Sequence, residues 1–266
     1  MKVTLFTANQ SRHYYLANLL SSAVTELNVI QENKTILPGV IPGNYPNTDI
    51  MKEYFSKVMN AQKKLFGNLN TLKEKKNINL LNLKDGDLNK CSTEFLSDFL
   101  QSDIYIVFGS SYIKGELADF LVHNKALNIH MGVSPYYRGA DCNFWALFDN
   151  NPHLVGATIH MLSKGLDSGP ILYHALSEIK DDPFIYTMST VKSAFHSIVE
   201  RIKNQNIFEY SPETQNKLKE VRYSRKNEFN EEVVKFFLSK KIDLRSKSFQ
   251  KNLYKDPYIL KNFFNT

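Results

Sequence analysis

Asn128 and His130 close an apolar stretch, Leu127-Asn128-Ile129-His130. If that stretch is a strand, a spacing of two points both side chains to one face. Burying such a polar pair is costly unless something bonds to it. Further along, Asp167 lies in Leu166-Asp167-Ser168-Gly169-Pro170, which reads as a turn. An amide, an imidazole and a carboxylate can together run acyl transfer. The amide and an imidazolium stabilise the oxyanion of a tetrahedral intermediate. The imidazole hands a proton to a leaving nitrogen, and the carboxylate takes one from an attacking amine. The same three residue types also fit a hydrogen-bonded core histidine beside a turn-forming Asn and Asp. Cys91 and Cys142 lie far apart, and no CxxC or HExxH spacing accompanies them. Both read as inert buried thiols, and no metal site is expected.

The elements around these residues alternate. Residues 2–8 read as a strand, Ser11 to Ala23 as a helix and Leu27 to Gln31 as a second strand. Residues 37–48 are rich in Pro, Gly and Asn and read as a loop, with Asn47 or Thr48 capping the next helix. Ile78 to Leu83 is a third strand, and Ser92 or Thr93 caps a short helix to Leu100. Asp103 to Phe108 is a continuous apolar run, as an inner parallel strand requires. A helix to His123, a strand from Ala126 to Ile129 and a helix from Asn143 to Phe148 follow. Strands Leu154 to Leu162 and Ile171 to Ile179 and a long helix from Pro183 to Lys203 come next. This order predicts an α/β, Rossmann-like, open and mostly parallel sheet flanked by helices. Ligands gather at the carboxyl ends of such strands. Thr7 to Arg12, Phe108 to Tyr112 and Asn128 to His130 all fall there.

The length of 266 residues suits one large domain with a small appendage. We expect a catalytic unit over 1–205 and a small basic extension over 206–266. From Lys217 onward there are 13 Lys/Arg against 6 Asp/Glu, so the whole net charge of +6 sits in that extension. Such a face suits nucleic acid or nucleotide phosphates, and equally a solvated helix surface. No nucleic-acid-binding motif accompanies it. No apolar run approaches the roughly 18 residues that span a bilayer. The amino terminus lacks the pattern of a signal peptide, and the protein reads as cytoplasmic.

Five further motifs surround the polar pair. They are Pro135 with Tyr137-Arg138-Gly139, Trp145-Ala146-Leu147, Gly156 with Thr158-Ile159-His160, Gly165-Leu166-Asp167, and Gly169-Pro170-Ile171-Leu172. In this order and spacing the chain resembles the formyltransferases that use 10-formyltetrahydrofolate, over residues 1 to about 200. The resemblance implies the formyltransferase fold, with no covalent enzyme intermediate. It implies that Asn128 holds the formyl oxygen. It gives His130 the oxyanion and the leaving folate nitrogen, and Asp167 the proton shed by the amine. His160 is expected to brace Asp167 or its water. The backbone of Ser111, Tyr112, Ile113 and Lys114 is expected to grip the pterin ring. Leu162, Ser163, Lys164, Gly165 and Leu166 would form the opposite wall. Many members carry a proline after this His, where Met131 stands here.

The acceptor amine is read from the flanks. Arg12 and His13 open a helix that suits an anion, though Ser11 as a simple N-cap fits equally. Tyr137 and Arg138 are placed on the acceptor side, and Tyr136, Trp145 and Tyr223 are candidates to stack on a base or sugar. Arg222 and Arg225 are candidates for a diphosphate. The acceptor read as best fitting is a nucleotide-linked amino sugar. Methionyl-tRNA fits less well, because too few residues follow the core for the tRNA-gripping domain of such enzymes. Another small amine, hydrolysis of formyl-folate and folate binding without catalysis remain open. A homodimer through the C-terminal part is a weaker expectation.

Overall fold

Branched apolar residues decide which segments become inner strands. Val3, Leu5, Leu27, Val29 and Ile106 are fully buried, as strands covered on both faces require. The structure is a computed structural model that describes residues 1–34, 45–73, 75–209 and 211–244, with the backbone of 263–265. Its first strands are β1 (Lys2–Ala8), β2 (Glu26–Asn33), β3 (Ile78–Lys84), β4 (Ile104–Phe108) and β5 (Leu127–His130). They are followed by β6 (Tyr137–Gly139), β7 (Ala157–Met161), β8 (Ile171–Ser177), β9 (Arg222–Ser224) and β10 (Phe263–Asn265). The helices are α1 (Ser11–Ser21), α2 (Asp49–Phe66), α3 (Gly115–His123), α4 (Cys142–Phe148), α5 (Pro183–Lys203) and α6 (Glu231–Ser239).

Eight strands form the main sheet in the order β10-β8-β7-β5-β4-β1-β2-β3. The half from β5 to β3 is parallel. β7 then reverses and runs antiparallel to both β5 and β8. This is the expected α/β architecture, with the carboxyl ends of β1, β4 and β5 on one edge. Helices α1 and α5 cover one face, where Leu16, Leu20, Phe195 and Ile198 pack on β1, β4 and β7. Leu117 and Leu121 of α3 cover the other face.

Several boundaries differ from the sequence reading. The helix expected from Ser92 to Leu100 is reduced to a 3-10 turn at Ser97–Phe99. Ser92 Oγ still accepts from the Phe95 amide, as the expected cap would, and Thr4 Oγ1 donates to the Phe99 carbonyl at 2.5 Å, which ties the turn to β1. The strand expected from Leu154 starts at Ala157, because Pro152 opens a 3-10 turn over Pro152–Leu154. Thr48 caps α2 as expected, accepting from the Met51 amide. The loop expected over 37–48 lies outside the described residues as far as 44.

Residues beyond 205 pack closely on the rest. β9 pairs in parallel with β6, and Glu213 bridges to Ile171. Phe229 and Phe237 of this segment meet Phe144 of α4 at ring-centroid distances of 4.9 and 4.6 Å. Tyr54 of α2 joins them, 5.3 Å from Phe229. Among the described residues, no helix is long and apolar enough to cross a membrane.

The β6–β9 contact depends on Gly139. Its φ is +94°, and a Cβ there would lie 2.1 Å from the Ser224 carbonyl oxygen. Gly139→Ala is expected to cost about 3 kcal/mol through strain and overpacking together. Denaturant unfolding of the two proteins checks this; equal midpoints would contradict it.

Candidate active site

Strand register assembles the polar cluster. The carboxyl end of β5 carries Asn128 and His130, and antiparallel pairing sets His160 of β7 directly opposite Asn128. Opposed residues of an antiparallel pair share a face and lie within side-chain reach. Asp167 arrives from the loop between β7 and β8, in a left-handed conformation with φ 47°.

Four side chains close into one network. The Asn128 amide nitrogen donates to Asp167 Oδ1 at 3.2 Å and to His160 Nε2 at 3.0 Å. His160 Nδ1 lies 2.7 Å from the Met161 carbonyl, which can only accept, so Nδ1 carries the proton and Nε2 the lone pair. The His130 ring is bounded differently. Its Nδ1 lies 3.3 Å from Asp167 Oδ2 and its Nε2 lies 3.1 Å from the Tyr137 carbonyl. Both neighbours are acceptors, so both ring nitrogens are protonated and His130 is an imidazolium. Burial alone would push its pKa down, but the Asp167 carboxylate outweighs this and holds it well above the ordinary 6.5. Asp167 moves the opposite way. Burial would raise its carboxyl, but the charge and hydrogen bonds of His130 hold it well below the usual carboxylate range. The two form a buried ion pair at the end of the sheet.

The loop that presents Asp167 is held from outside. Arg138 donates from Nε to the Asp167 carbonyl at 3.2 Å and from Nη2 to the Leu166 carbonyl at 2.9 Å. Glu220 pairs with the same guanidinium at 2.9 Å. Gln215 Nε2 donates to the carbonyls of Asp167 and Gly169, each at 2.8 Å. The Gly139 amide donates to Asp167 Oδ2 at 3.2 Å. The turn after His130 is also pinned. Ser134 donates its amide to Thr158 Oγ1 at 2.9 Å, and Thr158 Oγ1 donates to the Gly132 carbonyl at 2.5 Å. A Cβ on Gly132 would meet the His130 ring at 2.6 Å, so this position takes no side chain.

The network faces a cavity of about 630 Å³. Val107, Ile113 and Leu162 give one arm an apolar lining, with Gly109 to Ser111 and Ser163 beside them. Tyr112 Oη bonds to the Lys164 carbonyl at 2.5 Å and so joins the two walls of this arm. Glu32, fully buried, receives the Ser111 amide at 2.5 Å, Ser111 Oγ at 2.9 Å and the Gly86 amide at 2.8 Å. The other arm is lined by Arg12, Tyr45, Tyr54, Asp141 and Lys226, with Phe229 beneath.

The structure therefore gathers Asn128, His130, His160 and Asp167 with Ser111, Tyr112, Ile113, Leu162, Ser163, Gly165 and Leu166 around one cavity. Lys114 and Lys164 do not line it, and Lys164 pairs with Asp119 on the surface. Arg12 lines it and donates to Gln62 Oε1 at 2.9 Å. His13 lines it as a neutral ring, because burial and then Arg12 push its pKa well below the usual range. Its Nδ1 accepts the Gln10 amide at 3.1 Å, so Gln10, and not Ser11, caps α1. Tyr137 and Arg138 stand outside the lining. Tyr137 is fully buried, with its hydroxyl toward Asp149 and its carbonyl on His130. Tyr136, Trp145 and Tyr223 also lie outside the lining. Arg222 forms a bidentate pair with Asp149 over the Trp145 ring, so its guanidinium is engaged away from the cavity. Glu32, Gln215 and Asp141 were not singled out from the sequence, since no motif flags an isolated Glu, Gln or Asp.

Residues 100–206 match the formyl transferase family. The methionyl-tRNA formyltransferase of Thermotoga maritima is 36% identical over 95 residues, covering 36% of this chain and 29% of that protein. The chain spans less than a third of the length of the curated relatives it matches. A sugar N-formyltransferase structure from a Shewanella species has the same fold, with a TM-score of 0.53 at 14% identity over 95% of this chain and 86% of that one. A 4-N formyltransferase from Francisella tularensis is similar, with a TM-score of 0.50 at 15% identity and the same coverage, 95% and 86%.

The ion pair has a pH signature. Its stabilisation is fully present between the ordinary carboxylate value of 3.8 and the ordinary imidazole value of 6.5. It is lost as acid protonates Asp167 below that window, and as His130 deprotonates at its raised pKa above it. Asp167→Asn removes the charge that outweighs burial at His130, so the His130 pKa is expected to fall. A ¹⁵N NMR titration of both proteins reads this directly, and an unshifted His130 would show that Asp167 is not its counter-ion.

Proposed function

We propose, from the premise that this chain belongs to the formyltransferase family through residues 100–206, that it transfers a formyl group from 10-formyltetrahydrofolate to a primary amine. The carrying observation is the imidazolium–carboxylate pair of His130 and Asp167 at 3.3 Å, bridged to Asn128 at the cavity wall. The arm between Val107–Ile113 and Leu162–Gly165 suits a pterin, which is a flat ring with a polar edge. Apolar side chains there meet its faces, and backbone groups meet its edge. The bound donor supplies an electrophilic formyl carbon. His130 enters as the acid: its imidazolium stabilises the developing oxyanion and gives up a proton to the leaving nitrogen. Asp167, kept ionised, takes a proton from the attacking amine. Asn128 contributes an amide donor to the formyl oxygen. Both its N–H groups are already engaged, so it must release His160 or Asp167 to do this. His160, with its lone pair on Asn128, orients that amide.

For the acceptor we favour an amino group on a nucleotide-linked sugar. The second arm supports this class. Arg12 and Lys226 offer charge for a diphosphate, and Tyr45 and Tyr54 offer faces for a ring. The name of the matched Shewanella protein points the same way. The methionyl-tRNA formyltransferases among the sequence relatives, together with the basic extension, favour tRNA as a second reading. We assign catalysis to 1–205, treat 206–266 as an extension and place the enzyme in the cytoplasm, with a homodimer as a further possibility to be measured.

Asn128→Ala, His130→Ala and Asp167→Ala are each expected to lower turnover at least about 100-fold. Near-normal turnover in all three would sink the assignment. Calorimetry with 5-formyltetrahydrofolate, a stable analogue of the donor, tests the folate arm. Binding that tightens with one nucleotide sugar would identify the acceptor class. Binding that ignores every sugar and responds to tRNA would favour the second reading.

A further inference from the structure

Asp141 lies in the acceptor arm and has no part in the network around Asp167. It occupies the N-cap position of α4, where an Asp ordinarily accepts a backbone N–H of the first turn. Here its side chain makes no capping bond. Its backbone is left-handed, with φ 54°, a conformation that costs free energy in a non-glycine residue and recurs at ligand sites. Among the described residues, no hydrogen bond or ion pair to its carboxylate is found. The residue keeps exposed surface, but it belongs to the cavity lining, where the surrounding protein strips bulk water from its carboxylate. It is also close to the reacting centre. Gly139, two residues earlier, binds Asp167 through its amide, and Cys142, the next residue, packs beside His130.

The proton balance of the reaction requires something the network does not supply. At neutral pH a primary amine is an ammonium ion with no lone pair. It must lose one proton before attack and a second as the C–N bond forms. The leaving folate nitrogen takes up one of these, so one proton is left over. Asp167 is a poor recipient for the first, because His130 holds it firmly ionised.

We propose that Asp141 is the acceptor-side anchor and base of this cavity, the group that receives the ammonium of the incoming amine. This rests on the formyl-transfer reading above. The Asp141 carboxylate receives the ammonium and takes its first proton, which frees the nitrogen lone pair for the formyl carbon. The resulting carboxylic acid releases that proton to solvent through the open cavity. The second proton passes by way of Asp167 and His130 to the leaving nitrogen.

The surroundings of Asp141 are consistent with this role. Arg12 from α1, Tyr45 before α2, Tyr54 of α2 and Lys226 after β9 face it. Burial pushes its carboxyl up to about 6, although Lys226 and Arg12 pull against the rise. A carboxylate near that value is a far better base at neutral pH than one held in the usual range. Arg12 is itself pushed down to about 10 by burial, against Tyr45 and Asp141, and stays charged.

The first test needs no knowledge of the natural acceptor. A ¹³C NMR titration of the Asp141 carboxyl is run with phosphoethanolamine, a small primary amine, and with inorganic phosphate. Phosphoethanolamine is expected to lower the midpoint, because its ammonium stabilises the carboxylate; phosphate alone is not. Equal midpoints would overturn the proposal. The second test is Asp141→Asn, which keeps a residue type tolerant of left-handed backbone. With the amine identified above, the variant is expected to lose at least tenfold in kcat/KM for that amine. It should also lose the limb of the pH profile near 6 and keep its folate affinity and melting temperature. Wild-type kcat/KM and pH profile in the variant would refute the role of Asp141. Loss of folate-analogue binding in the unmodified protein would instead refute the formyl-transfer reading, and the titration would still decide the subsite.

Discussion

A carboxylate and an imidazolium buried side by side set the conditions that the rest of this structure meets. Each ion alone would be driven to its neutral form by burial, so neither charge persists without the other. His130 and Asp167 solve this at 3.3 Å, but an isolated buried pair is seldom favourable, because desolvation can exceed attraction. The remaining polar valences must also be filled. The Tyr137 carbonyl takes the second His130 proton, and Asn128 and the Gly139 amide occupy the Asp167 oxygens. The pair is stable where it is because β5, β6 and the loop of Asp167 converge on it.

Those segments are brought together by backbone geometry. Pairing of β5 with β7 sets His160 opposite Asn128, and a slip of one residue would turn both away. Asp167 needs a left-handed residue in a tight loop, which costs free energy in a non-glycine. Arg138 and Gln215 offset that cost by bonding to the carbonyls on either side. Arg138 is in turn fixed by Glu220, so the segment beyond residue 205 reaches the buried network through the side chains of Gln215 and Glu220. The contact of Phe229 and Phe237 with Phe144 anchors that extension against the wall of the cavity.

How much of this the sequence disclosed follows from the range of each signal. Inner strands and long helices were legible because their periodicity is local; β4 and α5 lie within one residue of their expected limits. The Asn128–His130 pair was legible as a shared face, and the spaced glycines and prolines marked the loop of Asp167. The short helix before Leu100 is reduced to a 3-10 turn at Ser97–Phe99, although Ser92 does accept the Phe95 amide as a cap. Tyr137, Arg138 and Arg222, read on the acceptor side, lie outside the cavity lining because tertiary partners hold them elsewhere. Tyr137 and Arg222 both turn to Asp149, and no local pattern predicts a shared carboxylate. Glu32, Gln215 and Asp141 carry no motif, and only tertiary placement distinguishes them from surface residues.

The two aspartates of the cavity show what tertiary placement adds to residue type. Asp167 and Asp141 have the same side chain, and both have a left-handed backbone. Asp167 faces an imidazolium and two hydrogen-bond donors and stays ionised through the neutral range. Asp141 faces cations at longer range with no hydrogen-bond partner among the described residues, so burial dominates and its carboxyl rises to about 6. Asp167 is suited to staying charged beside the imidazolium, and Asp141 to binding a proton more readily near neutral pH. When two like groups in one site are driven apart in this way, the difference separates their possible roles in acid–base chemistry. The separation arises from neighbours supplied by α1, α2, β6 and the segment after β9. It is therefore a property of how these elements close around the cavity, and no stretch of sequence contains it.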